Sequence, residues 1–168
     1  MNQFELNDSF LDDLDLQLLD ALQTDAGQGH NALAERLRVS PATVLRRTRR
    51  LQAAGVIERR VALLQPDRLA ACLGHGLSAV VEVSLDRQGQ EHLDAFEAQA
   101  VADAAVQQCY RVSPGPDFVL LVAVRDMPAY QALSARLFTQ HANVRHVRAF
   151  FSVRRAKFAP AWPLPLPT

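Results

Sequence analysis

Apolar positions recur along this chain at two periods, and the period changes near residue 60. Before that point the spacing is helical. Leu18, Leu19 and Leu22 line one side of a segment reaching about Thr24, and Leu33, Ala34 and Leu37 line a shorter one. A third helix is predicted to start at Pro41, because Ser40 can accept from the orphan N–H groups of a first turn and proline suits the first helical position. At about 100° per residue, Val44, Leu45, Thr48 and Leu51 then share one face, with Arg46, Arg47, Arg49 and Arg50 fanned over the opposite one. Gly55 supplies a C-terminal stop, and Val56 and Ile57 open an extended run. Two helices joined only through Arg38 and Val39, the second of them basic, predict a helix-turn-helix.

Beyond residue 60 the pattern alternates. Leu77, Ala79, Val81, Val83 and Leu85 exchange with Ser78, Val80, Glu82 and Ser84, as in a strand with one buried face. Leu93, Phe96, Ala100 and Val101 return to helical spacing, and Val106 to Val112 alternates again. Pro114, Gly115 and Pro116 impose a turn, and Phe118 to Val124 is apolar on both faces, as a central strand is. Tyr130, Leu133, Leu137 and Phe138 mark another helix, and Val147, Ala149, Phe151 and Val153 a last strand. The order βαββαβ predicts a ferredoxin-like antiparallel sheet with both helices on one face. Something must cover the other face, and a partner subunit is the economical answer, giving a homodimer or a higher even-numbered homo-oligomer.

The chain is therefore predicted to be α+β. Residues 1–60 form a three-helix, winged-helix-like helix-turn-helix domain, and 75–157 a ferredoxin-like βαββαβ domain. Residues 61–74 connect them, with Val61 to Leu64 as a short strand bounded by a break at Pro66. The tail, 158–168, is too proline-rich for helix or central strand and is expected to be extended or disordered.

Charge sharpens this division. The formal net charge is +0, yet residues 31–60 hold eight of the seventeen arginines against only Glu35 and Glu58, a local charge of about +6. The first thirty residues carry seven acids and no Lys or Arg; Asp12, Asp13 and Asp15 fall in a first turn, where the helix dipole favours them. A neutral total conceals a basic patch suited to double-stranded DNA. No apolar run approaches the roughly 18 residues of a membrane span and no signal-peptide pattern is present, so no membrane partner and a cytoplasmic location are expected. Cys72 and Cys109 are the only cysteines and are expected to be reduced and buried. Cys72 with His75 makes a C-x-x-H pair that lacks the second pair of a zinc site. No nucleophile, base and orienting acid group together, and no catalytic, metal or cofactor motif is present, which places an enzyme behind a binding protein.

The opening L-D-D-L-D-L-Q-L-L, the block S-P-A-T-V-L-R-R-T-R-R-L-Q-A-A-G-V-I and the later D-F-V-L-L-V-A-V-R-D together resemble the Lrp/AsnC family of leucine-responsive and asparagine-related regulators, over about residues 11 to 157. The resemblance implies a transcription regulator whose C-terminal modules dimerise, assemble further and bind an amino acid between subunits. Two departures stand out. Members usually have glycine in the helix-turn-helix turn, where this chain has Arg38. If that position is left-handed, a side chain there costs about 1 kcal/mol. The family's effector loop has a serine-glycine pair, two variable residues, aspartate and an aromatic. Here it reads Ser113, Pro114, Gly115, Pro116, Asp117, Phe118, with the glycine displaced by one and prolines removing backbone donors. Ser113, Gly115 and Asp117 are the effector-binding candidates that the resemblance implies.

A dimer of this kind presents two recognition helices to major grooves about 34 Å apart, so an imperfect palindrome is expected as operator. Ser40, as cap, with Ala42, Thr43, Arg46 and Arg47, falls to base edges and nearby phosphates, and Arg49 and Arg50 to the DNA backbone. The alternatives are a non-sensing assembly protein that organises DNA and, behind it, a ferredoxin-like enzyme.

Overall fold

A computed structural model describes residues 10–74 and 76–166. The chain forms two compact units. One holds the described residues up to Leu63 together with the chain from Lys157 onward, and the other is Leu64–Ala156.

The first unit contains three helices, α1 (Asp13–Thr24), α2 (His30–Leu37) and α3 (Pro41–Ala53). Each starts where local chemistry allows. Asp12 caps α1 in a reciprocal box, accepting from the Asp15 N–H at 2.9 Å while the Asp15 carboxylate accepts from the Asp12 N–H at 3.2 Å. Ser40 caps α3 by accepting from the Thr43 N–H at 3.1 Å, and Pro41 takes the first position. Gly55, at φ 72°, turns the chain out of α3 and lets the Ile57 N–H reach the Leu51 carbonyl at 3.2 Å. The core is Leu18, Ala21, Leu22, Leu33, Ala34, Val44 and Leu51, with Leu37, Val39, Val56 and Ile57 packed around it.

The connector departs from expectation. Val61 to Leu64 form no strand and stay exposed. Pro66 opens a helix instead of ending a run. In α4 (Pro66–Leu73) it takes the first turn, where a missing N–H costs nothing, behind a Gln65 side chain that accepts from the Asp67 N–H at 2.8 Å. Cys72, expected to be buried, is exposed on α4, and its sequence neighbour His75 lies outside the described residues.

The second unit carries the βαββαβ order: β1 (Leu77–Leu85), α5 (Gln90–Ala102), β2 (Val106–Arg111), β3 (Phe118–Val124), α6 (Met127–Ser134) continuing into a π-helical turn (Ala135–Thr139), and β4 (Val144–Phe151). The antiparallel sheet has the order β2-β3-β1-β4. Ala79, Val81, Val83 and Leu85 face inward, as the alternation predicts, and meet Phe118, Leu120 and Val122 across the β1–β3 pairing. Phe96 and Ala100 of α5, Leu133 of α6, and Leu137 and Phe138 of the π-helical turn close over that face. Two positions differ from the pattern. Val101 is exposed because Phe96 and Ala100 alone define the buried stripe of α5, and Val153 is exposed because β4 ends at Phe151. A bulge at Ser84 and Leu85 shifts β4, so that Val144 as well as Val147 packs on the core.

On the opposite face of the sheet, Val80 lies between Leu121 and Phe150, and Tyr110 is opposite Val119. Val80, Tyr110 and Phe150 are exposed there, an apolar surface with no cover from its own chain. No helix among the described residues is long and apolar enough to cross a membrane.

Among its described residues the tail from Lys157 has neither helix nor strand, and Trp162 ties it to α1. The Gln23 side chain of α1 accepts from the Trp162 N–H at 3.0 Å and donates to the Trp162 carbonyl at 2.9 Å.

Candidate functional site

The four arginines of α3 separate into two pairs. Arg46 and Arg49 are exposed and make no ion pair among the described residues. Arg47 and Arg50, which the helical pattern groups with them as DNA contacts, are turned back onto α1. Arg47 Nη1 donates to both oxygens of Asp12 at 2.7 Å and lies 2.9 Å from Asp15 Oδ1. Arg50 Nη2 donates to Asp15 Oδ2, its Nη1 to the Phe10 carbonyl at 3.3 Å, and its guanidinium sits 4.8 Å from the centre of the Phe10 ring. The physical reason is angular. Arg47 and Arg50 lie on the flank of α3 next to the Val44 and Leu51 stripe, about 60° and 120° from Val44, whereas Arg46 and Arg49 lie about 140° to 160° away. The flanking pair therefore meets whatever packs beside the stripe, which here is the acidic first turn of α1.

Asp15 is the centre of this arrangement. It is completely buried and serves both the cap and the two arginines. The Arg47 hydrogen bond holds the Asp12 carboxyl below its ordinary range, against an opposing effect of partial burial. A carboxylate whose folded value is depressed contributes stability above its unfolded value, about 3.9, and loses it as the pH falls through the folded one. The variant Arg47→Gln is accordingly expected to be clearly less stable than the parent at pH 7, with the gap shrinking at pH 3. Urea unfolding at the two pH values measures it, and a gap that does not depend on pH would contradict the Asp12 pairing.

The remaining helix candidates take distinct places. Ser40 is the cap, and its hydroxyl also shares a hydrogen bond with the Thr43 hydroxyl at 2.9 Å. Ala42 is exposed and Thr43 half-buried at the start of the helix. The outward surface of α3 is thus Ala42, Thr43, Arg46 and Arg49. Arg38, just before it, is left-handed at φ 55° and ψ 43°, and it is exposed.

In the second unit the effector candidates are only partly brought together. Ser113 and Asp117, with Gln88, Leu93, Arg111 and Val112, line an open depression of about 430 Å³. Gly115 is not among the lining residues and is exposed at the tip of the turn, where its φ of 123° suits glycine. The Ser113–Pro114 peptide is cis. Asp117 is also a strand-end clasp. Its Oδ2 accepts from the Leu85 N–H at 2.7 Å, its N–H donates to the Val83 carbonyl at 2.9 Å, and its carbonyl accepts from the Val112 N–H at 3.1 Å.

Arg111 is the residue that pattern reading passes over at this depression. It donates to Asp94 at 2.7 Å and Glu97 at 2.6 Å and lies over the Phe118 ring at 5.7 Å. Its position at the end of a strand beside the turn is the one sequence signal it offers. A guanidinium and the Asp117 carboxylate thus line one opening, with Asp94 and Glu97 of α5 paired to that guanidinium, and charges of both signs suit a small zwitterion.

Residues 11–58 match a family model described as winged helix-turn-helix DNA-binding, and residues 78–162 match the Lrp/AsnC ligand binding domain. Among curated relatives, the Bkd operon transcriptional regulator of Pseudomonas aeruginosa is 32% identical, over 92% of this chain and 98% of its own length. The leucine-responsive regulatory protein of Rhizobium meliloti is 34% identical, over 89% and 93%. Among solved structures, an AsnC family transcriptional regulator from Agrobacterium tumefaciens superposes with a TM-score of 0.79 at 29% identity, covering 91% of this chain and 97% of that one. A transcriptional regulator from Neisseria meningitidis, solved as its L-Met complex, also gives 0.79, at 27% identity, covering 92% and 97%. With a helix-turn-helix that presents exposed arginines, a ferredoxin-like module after it in the chain and these likenesses along nearly its whole length, the chain belongs to the Lrp/AsnC family of transcriptional regulators.

Proposed function

We propose that this regulator reads double-stranded DNA through the outer face of α3 and that an amino acid held beside Arg111 and Asp117 modulates it. The observation that carries the DNA half is the division of the arginines: Arg46 and Arg49 are exposed and unpaired among the described residues, while Arg47 and Arg50 are spent on α1. In the major groove, positions near the helix start reach deepest, which gives Ala42, Thr43 and Arg46 to bases and Arg49 to phosphate. The apolar outer sheet face supports a homodimer or a higher even-numbered assembly, and two α3 helices about one turn apart then match a palindromic operator.

Fluorescence anisotropy on DNA from upstream of its own gene, against a scrambled duplex across a salt series, tests this. Arg46→Ala is expected to cost about 1 to 3 kcal/mol of binding and to relax sequence preference, and Arg49→Ala to lower the salt slope by about 1 with preference kept. Unchanged affinity and slope in both variants would remove α3 from the interface.

The amino-acid half draws support from the charged depression and from the L-Met complex of the Neisseria meningitidis relative. One observation favours a non-sensing DNA-organising protein: Asp117 Oδ2 and the Arg111 guanidinium already have partners within the chain. Repeating the titration with pooled amino acids separates the two readings, since a shift in DNA affinity belongs to the sensing one alone.

A further inference from the structure

Arg38 is the only non-glycine residue with positive φ among the described residues. Nothing in the fold asks for its side chain. The turn is held by backbone groups, the Arg38 N–H to the Glu35 carbonyl at 3.2 Å and the Val39 N–H to the Ala34 carbonyl at 3.0 Å, and glycine would supply the first of these without the steric penalty of a Cβ. The guanidinium is exposed and makes no ion pair among the described residues, unlike neighbouring Arg36, which lies 3.7 Å from Asp20. Arginine is also an unusual occupant of this backbone region, where asparagine and aspartate are the usual non-glycine residues. A side chain that burdens the fold and serves no contact within it calls for a use outside.

From its place we infer that Arg38 is a further DNA contact, a phosphate clamp on the helix-turn-helix turn. It stands two residues before the Ser40 cap, so it precedes the end of α3 that enters the groove and lies beside the strand that borders it. The commitment of Arg47 and Arg50 to α1 gives this charge added weight, because it leaves Arg38, Arg46 and Arg49 as the exposed, unpaired cations between residues 38 and 50 among the described residues. A guanidinium at a turn neutralises a phosphate and releases its counterion, which raises affinity without reading sequence. The inference rests on the DNA-binding reading above and adds a contact outside the recognition helix.

The test is the variant Arg38→Gly, with Arg38→Lys beside it, measured by thermal unfolding and by anisotropy on a labelled duplex of about 30 base pairs, long enough for two successive grooves. Arg38→Gly is expected to raise Tm by about 2 to 5 °C, because the backbone penalty is relieved, while binding about tenfold more weakly with a salt slope shallower by about 1 per protomer. Arg38→Lys keeps both the charge and the backbone cost, and is expected to stay near the parent in Tm and slope. Weaker binding with higher stability is a combination that a merely structural residue does not produce. Unchanged affinity and slope in Arg38→Gly, with the parent binding normally, would overturn this inference alone. Loss of stability together with binding would overturn it too, by showing that the side chain holds the turn. Absence of salt-sensitive binding by the parent would overturn the DNA-binding reading with it.

Discussion

Replacing Asp15 with alanine is expected to remove about 3 kcal/mol from the stability of the DNA-binding unit, the lower end of what is lost when one member of a buried ion pair is deleted. Three interactions disappear at once. The Asp12 N–H loses its acceptor in the capping box, Arg50 loses its carboxylate, and Arg47 keeps only Asp12. The cost stays at the lower end because the Arg50 side chain is 39% exposed, so water can solvate part of what is stranded. Asp15→Asn separates charge from shape, since an amide can still accept from the Asp12 N–H but leaves both arginines without an anion at that position. Urea unfolding followed by far-UV circular dichroism is the measurement. A loss below about 1 kcal/mol in the alanine variant would mean that the cluster is a surface ornament and that Arg47 and Arg50 are available for DNA after all.

The second large effect belongs to the other unit. Phe118→Ala is expected to cost about 3 to 5 kcal/mol, as deletion of a buried aromatic ring does. Phe118 is fully buried on β3, opposite Val83, with the Phe96 ring 4.8 Å away and tilted by 46°. Its loss opens a cavity beneath the Arg111 guanidinium and next to the Asp117 clasp. The two hydrophobic cores share no residue, and the destabilisation should therefore be confined to the ferredoxin-like unit. Hydrogen exchange would show it: faster exchange for β1 and β3 amides with α1 to α3 protected as before. Equal acceleration in both units would show that they unfold as one.

What the chain discloses in its sequence is what depends on neighbours a few residues away. The Ser40–Pro41 cap, the stripe of Val44, Thr48 and Leu51 and the inward alternation of β1 rest on local periodicity and are present, while Leu45, grouped with that stripe by the same period, is only half-buried. The grip of Asp12 and Asp15 on Arg47 and Arg50 joins residues 35 apart, and no local period announces it. A signal did exist, since two acids spaced by three on one helix match two arginines spaced by three on another, beside its buried stripe. Pro66 shows a different limit, because proline starts helices as readily as it ends them, and only the Gln65 cap decides. In the turn from Ser113 to Asp117, the residue types are legible but the use of Asp117 to join β1 and β3 is not, because it depends on sheet pairing between distant strands.

The Gln23 clamp on Trp162 has a topological consequence. The chain leaves the DNA-binding unit at Leu63 and returns to it at Lys157, so the ferredoxin-like module is spliced into that unit as an insertion with two tethers. Two hydrogen bonds would not hold a free peptide of this kind. Attached to the same chain, the tail is present at an effective concentration of about a millimolar or more, and a weak grip suffices. The returning chain is thereby anchored on α1, the helix whose first turn also fixes Arg47 and Arg50 of α3.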